Sequence, residues 1–185
     1  MRKTLIVLLA CLPVPAASAQ GEKGEERAVA AILKLGGVVK VDRKSNRVVE
    51  VDFAKPGLTD EGLKHLAALK ELKTLDLGRS QVTNAGLQYL GKELKGLLAL
   101  YLSSPQITDD GLTHLRGLTG LIDLHLSGLQ VGDAGLKHLQ ECKGLKRLTL
   151  KRTKVSDNGV RLLQKALPEL EIHRIDPSLN PENRW

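Results

Sequence analysis

Apolar residues recur along this chain in a fixed cadence. A run of the form apolar-x-x-apolar-x-apolar opens at Val48 and again at Leu72, Leu97, Leu121 and Leu145, at intervals of 24, 25, 24 and 24 residues. Its members are Val48/Val51/Phe53, Leu72/Leu75/Leu77, Leu97/Leu100/Leu102, Leu121/Leu124/Leu126 and Leu145/Leu148/Leu150. The last two members of each run are separated by one residue, the alternation of a strand with one buried face. A second pattern follows each run: Leu58-Thr59-Asp60-Glu61-Gly62-Leu63, Val82-Thr83-Asn84-Ala85-Gly86-Leu87, Ile107-Thr108-Asp109-Asp110-Gly111-Leu112, Val131-Gly132-Asp133-Ala134-Gly135-Leu136 and Val155-Ser156-Asp157-Asn158-Gly159-Val160. Its Thr or Ser can cap a helix by accepting an orphan backbone N–H, and the Asp or Asn after it sits at the positive end of the helix dipole. Behind it, Leu63/Leu66/Leu69 and Leu112/Leu115/Leu118 are spaced for one helix face. A glycine in a first helical turn is costly. Close approach of neighbouring coils, leaving no room for a Cβ, is the expected reason for the glycine column. The extra residue of the 25-residue copy falls near Gly91-Lys92-Glu93, at a helix end that reads as a loop, where insertions do little harm.

One strand and one helix per copy cannot bury both their apolar faces alone. Stacked copies can, with strands pairing in parallel on one side and helices aligned on the other. The expectation is an α/β solenoid of about five repeats over residues 48–175. Glu22 to Leu35 reads as an amphipathic helix stopped by Gly36-Gly37, and Val38–Val41 with Val48–Val51 reads as a hairpin across the polar turn Asp42 to Arg47. Residues 20–47 would thus cap the stack. At the far end Leu167-Pro168-Glu169-Leu170-Glu171-Ile172 repeats the strand pattern, 22 residues after Leu145, and 176–185 is an irregular tail ending in the lone Trp185.

The first 19 residues read as a signal peptide: Arg2 and Lys3, an apolar run from Thr4 to Leu12, and Ala17-Ser18-Ala19 before a cut at Gln20. A rival cut stands beside it, because Leu8-Leu9-Ala10-Cys11 resembles a lipobox that would leave Cys11 lipidated. No other segment is apolar enough to span a membrane. Composition fits the repeat: 42 % of residues are hydrophobic but only 2 % aromatic, so Leu, Val, Ile and Ala must fill the core in layers. The formal charge of +7 falls to +5 once Arg2 and Lys3 leave with the signal segment. That is too modest for a nucleic-acid binder, and the small basic patch lacks stacking aromatics. Cleavage at Gln20 leaves Cys142 as the sole cysteine, so no intrachain disulfide can staple the fold.

The Leu-x-x-Leu-x-Leu run followed by (Val/Ile)-Thr-Asp-x-Gly-Leu-x-x-Leu resembles leucine-rich repeats. It is most similar to the ribonuclease-inhibitor-like and cysteine-containing subclass, whose cysteine position Glu141-Cys142-Lys143-Gly144-Leu145 matches. With the signal segment, it is similar to exported bacterial leucine-rich-repeat proteins. The resemblance implies a right-handed solenoid with a parallel sheet on its concave face and true helices on its convex face. It also implies a binding role.

Register places the exposed strand positions on that concave face. One column is Asp52, Asp76, Tyr101, His125 and Thr149, and beside it run Glu50, Thr74, Ala99, Asp123 and Arg147. Just past the strands come Lys55, Arg79, Ser104, Gly128 and Arg152, with Lys151 adjacent. Partner-binding residues expected here are Glu50, Asp52, Asp76, Arg79, Tyr101, Asp123, His125, Arg147, Lys151 and Arg152. Acidic groups lie toward the first repeats and middle, while Arg147, Lys151, Arg152 and Arg174 lie at the last, a bipolar face that would orient a partner. Tyr101 is the expected anchor. His65, His114 and His138 share one helix column with Tyr89 and Leu162, but neighbouring helices are about 10 Å apart and no Cys or carboxylate completes a tetrahedral set. No metal, cofactor or catalytic residue is therefore expected. His125 between Asp76 and Asp123 follows more simply from an alternating surface than from acid–base chemistry. The reading is an exported module for a protein partner, extracytoplasmic after cleavage near Ala19. A lipid-anchored structural component of the envelope is the alternative.

Overall fold

A computed structural model describes residues 19–53 and 56–175. Most of the expected signal segment with its Cys11 lipobox, the expected face residue Lys55 and the tail 176–185 lie outside the described residues. The chain opens with helix α1 (Ala19–Lys34) and strand β1 (Val38–Val41). Strands β2 (Val48–Asp52), β3 (Thr74–Leu77), β4 (Ala99–Leu102), β5 (Asp123–Ser127), β6 (Arg147–Lys151) and β7 (Glu171–Ile175) follow, one per coil. All seven form one sheet in sequence order, antiparallel only between β1 and β2. This is the α/β solenoid that the cadence predicts.

The strand register repeats the sequence cadence residue by residue. Val51, Leu75, Leu100, Leu124, Leu148 and Ile172 are successive partners across the sheet. The aliphatic columns point inward: Val51, Leu75, Leu100, Leu124 and Leu148 are each 0 % exposed and share one continuous core with Phe53 and the helix-side leucines. The last strand differs from expectation. Leu167 caps the helix before it, and β7 begins at Glu171 with Ile172 opposite Leu148, a step of 24 residues rather than 22.

The connecting elements are not uniform helices. Helices α2 (Asn84–Glu93), α4 (Asp133–Leu139) and α5 (Asp157–Ala166) are α-helical. The first coil instead carries a 3₁₀ helix, Asp60–Ala68, and the third a single α turn, α3 (Asp109–Leu112), followed by the 3₁₀ segment Thr113–Gly117. Spacing of the buried residues separates the 3₁₀ segments from the two ten-residue helices, while the seven-residue α4 keeps the three-residue step of Leu136, Leu139 and Cys142 and is α-helical all the same. Leu63, Leu66, Leu69 and Leu72 recur every third residue, as do Leu112, Leu115, Leu118 and Leu121, and three residues per turn is the 3₁₀ period. In the two ten-residue helices one step is four: Leu90 to Leu94, and Leu163 to Leu167. The extra residue of the 25-residue copy therefore lies inside α2, which runs for ten residues. It is not a loop insertion.

Neighbouring coils are bonded by a ladder at the helix starts. Asp60 accepts the Thr83 N–H at 2.9 Å and the Thr83 hydroxyl at 2.6 Å. Asn84 accepts the Thr108 N–H at 3.1 Å and donates to its hydroxyl at 2.8 Å. Asp109 accepts the Gly132 N–H at 2.7 Å, and Asp133 the Ser156 N–H and hydroxyl at 2.8 and 2.6 Å. Only Thr83 and Ser156 also cap their own helices, by accepting the N–H of Ala85 and Gly159. At Thr59 and Thr108 the expected cap bond is not made. The glycine column has the expected cause: a Cβ on Gly86, Gly111, Gly135 or Gly159 would run into the Asp or Asn side chain of the coil before it.

Both ends are closed by charged side chains. Glu25 of α1 is buried; it accepts the Val48 N–H at 2.8 Å and pairs with Arg47 at 2.8 Å, fixing the first helix to the first parallel strand. At the other end Arg174 of β7 reaches Asp157 and donates to the Val155 carbonyl at 3.2 Å, occupying the carboxylate that a further coil would have used.

Candidate functional site

Parallel sheets are usually covered on both faces. Here the helices cover one face only, and among the described residues nothing covers the other. Two columns stand on that open face. Asp52, Asp76, Tyr101, His125, Thr149 and His173 are successive partners, as are Glu50, Thr74, Ala99, Asp123, Arg147 and Glu171. The hairpin widens the face by one strand, with Lys40 opposite Glu50 and Val38 opposite Asp52.

The two columns meet in the middle of the sheet. The Tyr101 and His125 rings stack, with centroids 4.4 Å apart and planes inclined by 23°. Arg147 donates from Nε and a terminal nitrogen to Asp123 Oδ2 at 3.1 and 2.8 Å, while His125 Nε2 lies 3.1 Å from Asp123 Oδ1. These neighbours leave Asp123 only 9 % exposed, although its strand position faces outward. Tyr101, expected as a large exposed anchor, is half-buried by the same packing. Its hydroxyl is pushed above the usual phenol range, first by burial and then by the Asp123 and Asp76 charges.

Charge on this face is divided along the strand order. Glu50, Asp52 and Asp76 crowd the first strands. Glu50 pairs with Lys40 at 2.9 Å, and Asp76 Oδ1 accepts the Gly78 N–H at 2.7 Å. Asp52 makes no ion pair among the described residues. Burial, with the Asp76 and Glu50 charges next, raises its carboxyl above the usual range. Lys151 and Arg152 follow Arg147 at the other end. Arg152 is exposed and its backbone lies in the left-handed region at φ 52°, the conformation of Gly128 one coil earlier at φ 69°. Arg79 is exposed beyond β3, but Ser104, expected in the same exposed column, is buried. Arg174 belongs to the end closure rather than to the face.

A family model described as Leucine Rich repeat matches residues 70–91. No curated protein matches the sequence. Among solved structures, the leucine-rich-repeat ectodomain of the receptor kinase SOBIR1 from Arabidopsis thaliana superimposes with a TM-score of 0.50 at 16 % identity, over 83 % of this chain and 92 % of that one. The fold is a leucine-rich-repeat solenoid. An internalin from Listeria monocytogenes aligns over 60 % of this chain and 30 % of its own length, at 23 % identity and a TM-score of 0.46. A leucine-rich-repeat protein of Leptospira interrogans aligns over 58 % of this chain and 26 % of its own, at 25 % identity and a TM-score of 0.43. The chain therefore spans less than a third of the length of these two bacterial proteins.

The other chemistry of this leucine-rich-repeat coil lies away from the open face. A cavity of about 400 Å³ lies against the first coil beside Leu35, Glu61 and His65, and one of about 220 Å³ between α4 and α5. In the histidine column, His138 Nδ1 lies 3.0 Å from an Arg116 nitrogen, and among the described residues no group of three potential ligands is gathered. Cys142 is buried, with its sulfur 3.8 Å from the Leu115 carbonyl of the coil before, and burial pushes its thiol up to about 11. Neither the Tyr101–His125 stack nor the Asp123–Arg147 pair is among the expectations from sequence. Both were available in it, since the columns place each pair one coil apart in neighbouring strands.

Proposed function

We propose that this chain is an exported module that binds a protein partner on the open face of its sheet. Leucine-rich-repeat folds commonly serve protein interaction, and an uncovered parallel sheet gives an extended surface for it. The carrying observation is the Tyr101–His125 stack at mid-face, with Asp52 and Asp76 on one side and Arg147, Lys151 and Arg152 on the other. Half-buried aromatics between polar rims are where binding energy concentrates. Acidic groups on β2 and β3 and basic groups on β6, with Lys40 and Glu171 on the strands outside them, set the direction in which a partner lies. No catalytic role is assigned to the face, since Asp123 is already engaged by Arg147.

Affinity capture from the extracytoplasmic fraction of the native cell tests the reading. The Tyr101→Ala/Arg152→Ala double variant should lose partners that the unaltered chain retains. Equal capture by the two would overturn the assignment of the face. Mass spectrometry of the native N-terminus tests export: a chain starting at Gln20 supports it, and a diacylated Cys11 replaces free secretion with an anchor.

A further inference from the structure

We propose that the partner inserts an arginine side chain against Tyr101, over Asp76 and beside Asp52, and that this contact sets the polarity of binding. The inference rests on the open face being the binding surface. The ring centroids of Tyr101 and His125 are 4.4 Å apart, close to the spacing of adjacent strands, about 4.8 Å. The two rings therefore stand up from the sheet and stack along the strand order. His125, on β5, covers one face of the Tyr101 ring. The other face looks toward β3, where the register partner of Tyr101 is Asp76. An aspartate is much shorter than a tyrosine, so the stacking position above Asp76 is a notch. One wall is the tyrosine ring and the floor is carboxylate.

The polar groups around the notch select its occupant. Asp76 Oδ1 is held by the Gly78 N–H, and Oδ2 has no partner among the described residues. Asp52 stands one strand further out with its carboxylate unpaired among the described residues, and Lys40 is engaged by Glu50. Burial first, and then the charges of Asp76 and Glu50, raise the proton affinity of Asp52, and an incoming cation would oppose the charge repulsion. A guanidinium suits both surfaces at once: it is flat enough to continue the His125–Tyr101 stack, and its fork of N–H donors matches carboxylate oxygens. An ammonium satisfies the charge but does not stack, and a neutral planar group stacks without the charge.

Nuclear magnetic resonance of the full chain titrated with the blocked peptide Gly-Gly-Arg-Gly-Gly tests this. The Tyr101 ring and Gly78 amide signals should shift saturably. The citrulline counterpart, isosteric and uncharged, should bind roughly tenfold more weakly, and the lysine counterpart about threefold. D52N and D76N should each weaken arginine binding about three- to tenfold. Asn at position 76 keeps the acceptor for the Gly78 N–H, so the turn is preserved. Y101L should abolish the preference for arginine over lysine. Equal binding of the citrulline peptide, or saturable shifts only at other residues, would overturn the proposal. No saturable shift at all would also overturn it. If the peptide fails while native capture still depends on Tyr101, the face binds by other chemistry and only this inference falls. Peptide binding at the notch without Tyr101-dependent capture would instead remove the reading on which it rests.

Discussion

Asp60 in one coil accepts both the backbone N–H and the hydroxyl of Thr83 in the next, at 2.9 and 2.6 Å, and the same carboxylate fills the space where a Cβ on Gly86 would stand. The acidic residue, the hydroxyl and the glycine of the repeat are thus one device. Asp60→Ala should destabilise the chain by about 2 kcal/mol, because it strands a part-buried N–H. Gly86→Ala should cost about 1–3 kcal/mol through overpacking. The double variant should cost less than the sum, since Asp60 is the nearest obstacle to the new Cβ, ahead of Val82 and Leu63. Urea denaturation of the four proteins measures this coupling, and strict additivity would refute it.

Gly91 and Gly117 belong to no sequence column, yet they bring two backbones into contact. A Cβ on Gly91 would overlap the His114 carbonyl, and one on Gly117 would overlap the Gly91 carbonyl. A side chain can swing away from such a clash, but a backbone cannot. Gly91→Ala should therefore destabilise more than Gly86→Ala, by about 3 kcal/mol. A melting temperature for Gly91→Ala at or above that of Gly86→Ala would contradict the argument.

Arg152 holds a backbone conformation that suits glycine, and Gly128 occupies the equivalent place one coil earlier. Left-handed backbone costs a non-glycine residue about 1–2 kcal/mol, partly offset by the greater freedom of glycine in the unfolded chain. Arg152→Gly should therefore stabilise the fold by about 0.5–1 kcal/mol while weakening partner capture. Thermal unfolding read beside capture checks both. A destabilised Arg152→Gly would mean that the side chain holds the fold rather than the partner.

Cys142 should behave as a core residue. Its thiol, pushed up to about 11 by burial, is neutral and inaccessible at neutral pH. Labelling with a thiol reagent should proceed at the rate of global unfolding and accelerate with urea. Prompt labelling of the folded protein would show that this coil opens locally.

Two carboxylates should pull stability in opposite directions with pH. Asp133 is lowered, chiefly by the side-chain and backbone hydrogen bonds from Ser156. Its contribution is present above the unfolded value of 3.8 and is lost as pH falls through the lower folded value. Asp52 is raised, so the folded chain binds its proton more tightly than the unfolded one. Stability falls as pH rises through the interval just above 3.8 and stays reduced at neutral pH. Asp52→Asn should therefore stabilise the chain at pH 7, whereas Asp133→Asn should not. Denaturation midpoints of both variants near pH 3 and at pH 7 measure this, and a neutral-pH loss in Asp52→Asn would be the wrong sign.

The strand columns were legible in the sequence because a strand alternates with period two and a solenoid adds one coil per repeat. Two such periods fix that Asp76 neighbours Tyr101 and that Asp123 neighbours Arg147. The helix side was less legible. Leu63/Leu66/Leu69 fits one face of either an α- or a 3₁₀-helix, and Leu90 and Leu94 reveal their helix only through the four-residue step. The strand at the end was misplaced because Leu167 and Leu170 imitate the opening of a run, whereas pairing with β6 fixes Ile172 opposite Leu148.

The sequence by itself determined the cadence of the coils, the order of the strands and which strand positions from Glu50 to Thr149 point away from the core, since each follows from a repeat that can bury its leucines in only one way. Tertiary structure alone decided that Asp123 is enclosed and that Tyr101 is half-buried against His125. It also decided that Gly91 meets Gly117 and that Arg174 closes the last coil. Those facts depend on side-chain rotamers and on distances between coils, which a pattern of apolar and polar positions does not encode.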